Sequence, residues 1–327
     1  MAKKATATFS EVMSKYASSV FDNVEKHSTG IRAIDKLLNG GIVNGYMYYF
    51  FGTPGAGKST IVFQIIRTRL KQLVKSGSDK QVVFIDVEKA FNERQQECFG
   101  LREFVESGKL VHLVIGNMSE LDDIVSALVE DNGANVDMVA IDSTTMLRPV
   151  TKQELRVEDV RPGIHALQMS FMLSKIKDSF YRLGITSLVV CQSRANMSLG
   201  AANPYAPEYK MAGGFAEAHS ADVVFKIEAG SHIKDENDQI VGNNVRISAT
   251  KNKFGAPKVV ITRELIYGKG ISLKQEVISD LIEAGIINKV SPGYYEVPGV
   301  EGRVRAKGLL ELPNETISML RDTLDSM

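Results

Sequence analysis

The stretch Tyr46-Met47-Tyr48-Tyr49-Phe50-Phe51-Gly52-Thr53-Pro54-Gly55-Ala56-Gly57-Lys58-Ser59-Thr60 decides the fold. Its first six residues form an apolar run of the length of a buried strand. Gly52 to Ser59 match G-x-x-x-x-G-K-[ST] in full, and the periodic segment Ser59–Lys75 reads as a helix. Strand, glycine-rich loop and helix, in that order, make the setting in which this motif cradles phosphates. Glycines let backbone N–H groups converge on phosphate oxygens, and the helix N-terminus adds partial positive charge. Gly52, Thr53, Pro54, Gly55, Ala56 and Gly57 are the expected cradle, with Thr60 following in the first helical turn. Lys58 is expected to reach the β- and γ-phosphates and Ser59 to hold Mg²⁺. The ligand these residues predict is a nucleoside triphosphate with Mg²⁺.

Outward from this loop the same rhythm continues. Gln81–Asp86, Leu110–Ile115, Val136–Asp142 and Ile185–Cys191 read as further buried strands, with helices over Glu120–Glu130 and Ile164–Arg182. Short apolar strands alternating with helices predict an α/β domain with a mostly parallel central sheet covered on both faces. Ligands belong at the C-terminal ends of such strands. Asp222–Ile227, Val245–Thr250 and Lys258–Leu265 read as antiparallel edge strands, with a polar hairpin region over Ser231–Asn244. Val277–Ala284 and Thr316–Leu324 read as helices and Tyr294–Val297 as a short strand. The expected division is a helical arm over 1–28, a core over 29–270 and a small α/β domain over 271–327. In the arm, Phe9, Val12, Met13, Tyr16 and Val20 share one helical face. That face would pack on the chain's own core or on a neighbouring subunit.

Two carboxylates stand where phosphate chemistry needs them. The strand Met138-Val139-Ala140-Ile141-Asp142 ends in an acid, and such an aspartate holds Mg²⁺ in P-loop enzymes. Hydrolysis also needs a group that orients the attacking water. Glu88, just past the strand ending in Asp86, is the candidate. Asp86 is the lesser one, and a structural ion pair is the alternative for either.

The chain has 327 residues, with 39 Lys+Arg against 39 Asp+Glu. Neutrality excludes a protein that binds nucleic acid by bulk charge. It leaves room for local basic surfaces, as in residues 289–307, where Lys289, Arg303, Arg305 and Lys307 face two acids. Two cysteines, Cys98 and Cys191, cannot build a disulfide framework, and no apolar run approaches the ~20 residues of a membrane span. The expectation is a soluble cytoplasmic protein with no membrane partner.

With these motifs in place, the chain resembles the RecA family of DNA strand-exchange recombinases. The likeness runs from His27-Ser28-Thr29-Gly30 through Phe84-Ile85-Asp86-Val87-Glu88-Lys89-Ala90 and Asp142-Ser143. It continues through Gln192-Ser193-Arg194, Lys251-Asn252-Lys253 and Tyr267-Gly268-Lys269-Gly270. The resemblance implies a RecA-type P-loop core, ATP and Mg²⁺ as ligands, and a DNA-dependent ATPase in recombination and repair. Such a protein forms a helical filament on single-stranded DNA and pairs it with a homologous duplex. By position, Glu88 would activate water and Gln192 would sense the γ-phosphate. Lys251 and Lys253 would reach the ATP of the neighbouring subunit. Two loops would hold DNA, one with Arg156, Arg161 and Gly163, the other with Arg194, Lys210, Gly213 and Gly214. Residues 271–327 would capture duplex DNA.

The chain departs from the family at named positions. Gln95 stands where an aromatic residue stacks on adenine, and Asn92 where an aspartate contacts the base; Tyr267 remains a candidate for the nucleotide's other face. Ala218 and His219 replace interface residues that pass the ATP signal between subunits. An ATP-switched, non-catalytic DNA-binding or recombinase-regulating paralogue is the second reading, and a RecA-core helicase the third.

Overall fold

The computed structural model describes residues 25–133, 135–149, 164–195, 209–211 and 220–325. Most of the expected arm, the loop positions Arg156, Arg161, Gly163, Gly213 and Gly214, and the pair Ala218 and His219 lie outside these residues.

The chain enters through β1 (Lys26–His27), α1 (Arg32–Leu37) and β2 (Ile42–Val43), with β1 and β2 paired antiparallel. The central sheet then takes shape from β3 (Met47–Gly52), β4 (Gln81–Asp86), β5 (Leu110–Val114), β6 (Val136–Asp142) and β7 (Thr186–Ala195). Between them lie α2 (Lys58–Lys75), α3 (Glu93–Cys98), α4 (Arg102–Glu106), α5 (Met118–Glu130) and α6 (Ile164–Leu183). β8 (Tyr209–Met211) hangs on β7. β9 (Val223–Lys234), β10 (Ile240–Asn252), β11 (Val260–Ile266) and β12 (Gly270–Ile271) complete the sheet. The strand order is β12-β11-β10-β9-β3-β7-β6-β4-β5. The stretch from β9 to β5 is parallel and the β9–β12 edge antiparallel.

Alternation along β3 divides the core. Tyr48 and Phe50 join the layer under α1 and α2, while Met47, Tyr49 and Phe51 join the layer under α5 and α6. All are buried, as a central strand covered on both faces requires. Phe63 on α2 anchors the first layer against Phe84, Phe91 and Phe99, with ring centroids 5.0–5.2 Å apart. Each such ring, once buried, contributes about 1.5–3 kcal/mol. Arg69 of α2 forks onto buried Asp137 at the start of β6, at 2.6 and 2.7 Å. α2 is thereby fixed at both ends, by its phosphate loop and by this ion pair.

The edge departs from the sequence reading. Ser231–Asn244, expected as a polar hairpin region, is mostly strand, because β9 and β10 run twelve and thirteen residues with a turn only around Asp235–Gln239. Their outer ends face water, so polar side chains cost nothing there. β7 likewise continues past Cys191 into the expected second loop, because Ser193–Ala195 pair with Tyr209–Met211; Arg194 and Lys210 are register partners.

Past β12 the chain forms α7 (Leu273–Glu283), an antiparallel sheet of β13 (Asn288–Ser291), β14 (Tyr294–Glu296) and β15 (Val304–Arg305), and α8 (Asn314–Asp325). Val277, Leu281, Ile287, Leu309 and Leu320 give it a core of its own. Lys289, Arg303, Arg305 and Lys307 are exposed on and beside the small sheet, with Lys307 near Glu236 at 3.3 Å.

Candidate nucleotide-binding site

The loop after β3 leaves the sheet between β9 and β7, where only the smallest residue fits. A Cβ on Gly52 would lie 2.0 Å from the Ile227 carbonyl oxygen of β9. Gly57, which opens α2 with φ +93°, would meet Leu265 at 2.5 Å. A larger residue at Gly52 would collide with the backbone of β9, and at Gly57 the positive φ itself disfavours any other residue. The first N–H groups of α2 therefore open onto a cavity of about 320 Å³. Pro54, Gly55, Gly57, Lys58, Ser59 and Thr60 form one wall. Glu88, Asp142, Val190, Gln192, Leu265 and Tyr267 form the rest.

The charged groups are held by short contacts. Lys58 Nζ donates to the carbonyls of Gly52 and Thr53 at 3.0 and 2.8 Å. Burial pulls its ammonium below the ordinary lysine range, partly offset by Asp142 and Glu88. Burial pushes the Asp142 carboxyl up to about 6, helped by Glu88 and opposed by Ser59 and Lys58. Asp142 Oδ1 is buried and lacks a hydrogen-bond partner. The Asp142–Ser143 peptide bond is cis. Ser143 Oγ donates to Glu88 Oε1 at 2.6 Å, and Gln192 Nε2 donates to the same oxygen at 2.9 Å. Gln192 is fixed in turn, because its N–H donates to Thr145 Oγ1 at 3.0 Å.

The fold brings the phosphate loop, Glu88, Asp142, Gln192 and Tyr267 to one cavity. Gln95 on α3 is not among the lining residues, and Asn92 caps α3 by accepting the Gln95 N–H at 3.1 Å. Lys251 and Lys253 are also absent from the lining. Lys253 Nζ donates to buried Asp222 at 2.6 Å; the Lys251 ammonium is lowered by burial and by Lys177 and Lys253. Asp86 is structural, since its carboxylate accepts the N–H groups of Ala90 and Phe91 and sits 3.3 Å from His112 Nε2. Ser143 and Thr145 are the site residues to which sequence reasoning assigned no role. Ser143 carries a signal as the residue after Asp142 in the family likeness, and Thr145 carries none beyond its position just after that strand.

The residues fit a hydrated divalent cation held with a nucleotide. Ser59 and Asp142 line the same cavity, and one oxygen of Asp142 has no hydrogen-bond partner. Mg²⁺ takes one or two protein oxygens and completes its shell with phosphates and water. Such a site needs no larger cluster, and among the described residues no group of three or more His, Cys, Asp or Glu could hold a metal. No described helix is long and apolar enough to cross a membrane.

The family model for the RecA N-terminal domain matches residues 6–272. The proteins named Protein RecA from Cytophaga hutchinsonii and Xanthomonas euvesicatoria pv. vesicatoria are each 30% identical over 276 residues. Those matches cover 84% of this chain and 73% and 76% of the relatives. Protein RecA of Caulobacter vibrioides is 30% identical over 270 residues, 81% of this chain and 70% of its own. The match spans the whole central sheet and every residue that lines the nucleotide cavity, and the chain belongs to the RecA family.

Proposed function

We propose that the chain is a DNA-dependent ATPase that assembles as a filament on single-stranded DNA and promotes homologous pairing and strand exchange. The observation that carries this reading is the Glu88 carboxylate, held by Ser143 and Gln192 above a complete phosphate loop. Both donors use Oε1. Oε2 is therefore the atom available to hold a water in line with the γ-phosphate and to accept its proton, while the new P–O bond forms, the β–γ bridging P–O bond breaks and ADP leaves with that oxygen. Lys58 and the N–H groups opening α2 would stabilise the charge on the phosphoryl oxygens. Ser59 and Asp142 would hold Mg²⁺, whose charge would offset that of the phosphates.

Gln192 ties this chemistry to DNA. It sits on β7 three residues before that strand ends at Ala195, at the start of the second expected DNA loop. A γ-phosphate that drew its amide from Glu88 would move that strand end. Lys251 and Lys253 stand outside the cavity of their own chain, which agrees with a role toward a neighbour's nucleotide. RecA family membership and the RecA relatives support recombination and repair as the setting.

The test is ATP turnover with and without single-stranded DNA, run beside a joint-molecule assay with a homologous duplex. Turnover stimulated by DNA together with joint molecules is expected. Equal turnover in both conditions and no joint molecules would defeat the reading.

A further inference from the structure

Further along α2, away from the phosphate loop, a groove of about 610 Å³ runs between that helix and the segment from Ile266 to Leu273. Four cations line it, Arg67, Lys71, Lys75 and Lys269, and no carboxylate does. Among the described residues none of the four forms an ion pair within 4.0 Å. Other surface cations of this chain are commonly paired, as Lys175 with Asp122, Lys234 with Asp238 and Arg102 with Glu97 and Glu106. In a chain with 39 charges of each sign, this groove is a local concentration of uncompensated positive charge.

The pattern carries the chemistry of its ligand. Arg67, Lys71 and Lys75 lie at i, i+4 and i+8, one row on α2 with a rise of about 6 Å per step. Like charges at this spacing repel one another and work against the helix that carries them. A row of charge about 12 Å long suits a polymer of repeated anions better than one phosphate. Surfaces for unstacked single strands add aromatic platforms, and this lining has none; its large apolar members are Ile266, Ile271 and Leu273. A duplex backbone asks only for charge and polar groups.

The groove is also joined to the nucleotide cavity. Tyr267 lines the cavity and Lys269 lines the groove, two residues apart in one turn. Gln64 of α2 clamps the far side of that turn, donating to the Ile271 carbonyl at 2.8 Å and accepting its N–H at 3.0 Å. Gly270 permits the clamp, since a Cβ there would lie 2.5 Å from Gln64 Oε1.

We infer that this groove is a site for the phosphate backbone of duplex DNA, built from residues that belong neither to the two expected loops nor to the basic stretch 289–307. The inference rests on the reading that the chain handles DNA, and adds a contact surface which that reading does not require.

The test uses the full chain and a triple variant, R67A/K71A/K75A, whose alanines keep helix propensity. Binding of a short fluorescent duplex is measured across a salt series without nucleotide. The slope of log K against log salt should fall in magnitude by about 2.7, at about 0.9 per lost phosphate contact. The charge-keeping variant R67K/K71R/K75R should retain the wild-type slope, and single-strand-stimulated ATP turnover should stay within twofold in both. An unchanged slope in the triple alanine variant overturns the inference. So does polyglutamate that binds the wild-type chain as tightly as the duplex and loses that binding in the variant, which would assign the groove to an acidic protein. A reduced slope in a chain whose turnover ignores single-stranded DNA supports the groove while defeating the recombinase reading.

Discussion

Gln192 Nε2 donates to Glu88 Oε1 at 2.9 Å, joining the C-terminal end of β7 to the segment after β4 across the nucleotide cavity. These strands are separated by β6 in the sheet, so the contact passes across the end of the strand that finishes in Asp142. Glu88 is thereby positioned by groups that are not themselves bases.

Glu88→Gln keeps the shape of the side chain and removes its capacity to accept a proton. ATP turnover should fall by about 10²–10⁴-fold, the range for a lost general base. Affinity for an ATP analogue should change little, because Lys58 and the loop N–H groups are untouched. Single-turnover hydrolysis and a binding titration read the two effects separately. Unchanged turnover would remove Glu88 from the mechanism.

Ser143→Ala tests the positioning of Glu88. A hydrogen bond to a charged group contributes about 1.5–3 kcal/mol, so misplacement should cost about tenfold or more in turnover. Ser143→Thr, which keeps the hydroxyl, should restore most of it. A loss that threonine does not rescue would mean that Ser143 acts through packing alone.

The parts legible in the sequence were those set by neighbours along the chain. The phosphate loop, the strand ending in Asp142 and the helix starting at Lys58 each follow from a local run. The contacts of Ser143 and Thr145 join residues 55 and 47 positions apart, and no periodicity reports that. The long β9 and β10 were read short because their outer ends face solvent and lose the apolar signature of a strand. Glu276 and Asp280 sit in a helix whose charges suit a solvated face, yet both are buried against partners more than 240 positions away. Long-range ion pairing of this kind leaves no local signal.

Asp222 carries a pH prediction. Burial pushes its carboxyl up, but hydrogen bonds from Lys253, the Met47 N–H and Lys177 outweigh it and hold the group below its ordinary 3.8. The unfolded chain then takes up the proton first as pH falls. The stabilisation is fully present above the unfolded value and is lost as pH drops through the depressed one. Asp222→Asn should destabilise the chain by about 2–4 kcal/mol at neutral pH, since it leaves two lysines without their carboxylate. Urea midpoints should show that gap constant from pH 7 to about 4 and shrinking below. A gap that does not change with pH would overturn the assignment.

Glu276 joins the segment after β12 to α1. From α7 its carboxylate accepts the N–H groups of Arg32 and Ala33 at 2.9 and 2.8 Å, capping α1, which has no side-chain cap of its own. Asp280, one turn later, binds Arg32 at 2.8 Å, Lys36 at 2.6 Å and Arg263 at 2.5 Å. Glu276→Ala should leave two N–H groups of a helix start unpaired and remove a carboxylate 3.6 Å from the buried Arg263 guanidinium, at a cost of about 3–5 kcal/mol. Because residues 273–325 hold an apolar core of their own, that cost should fall on their packing against α1 before it falls on the central sheet. Hydrogen exchange should quicken across α1 and residues 273–325 while β3 and α2 keep their protection. Glu276→Gln, which retains one acceptor, should show a smaller change in the same segments. Uniform loss of protection over the whole chain would mean that the network supports the entire fold and that residues 273–325 do not open separately.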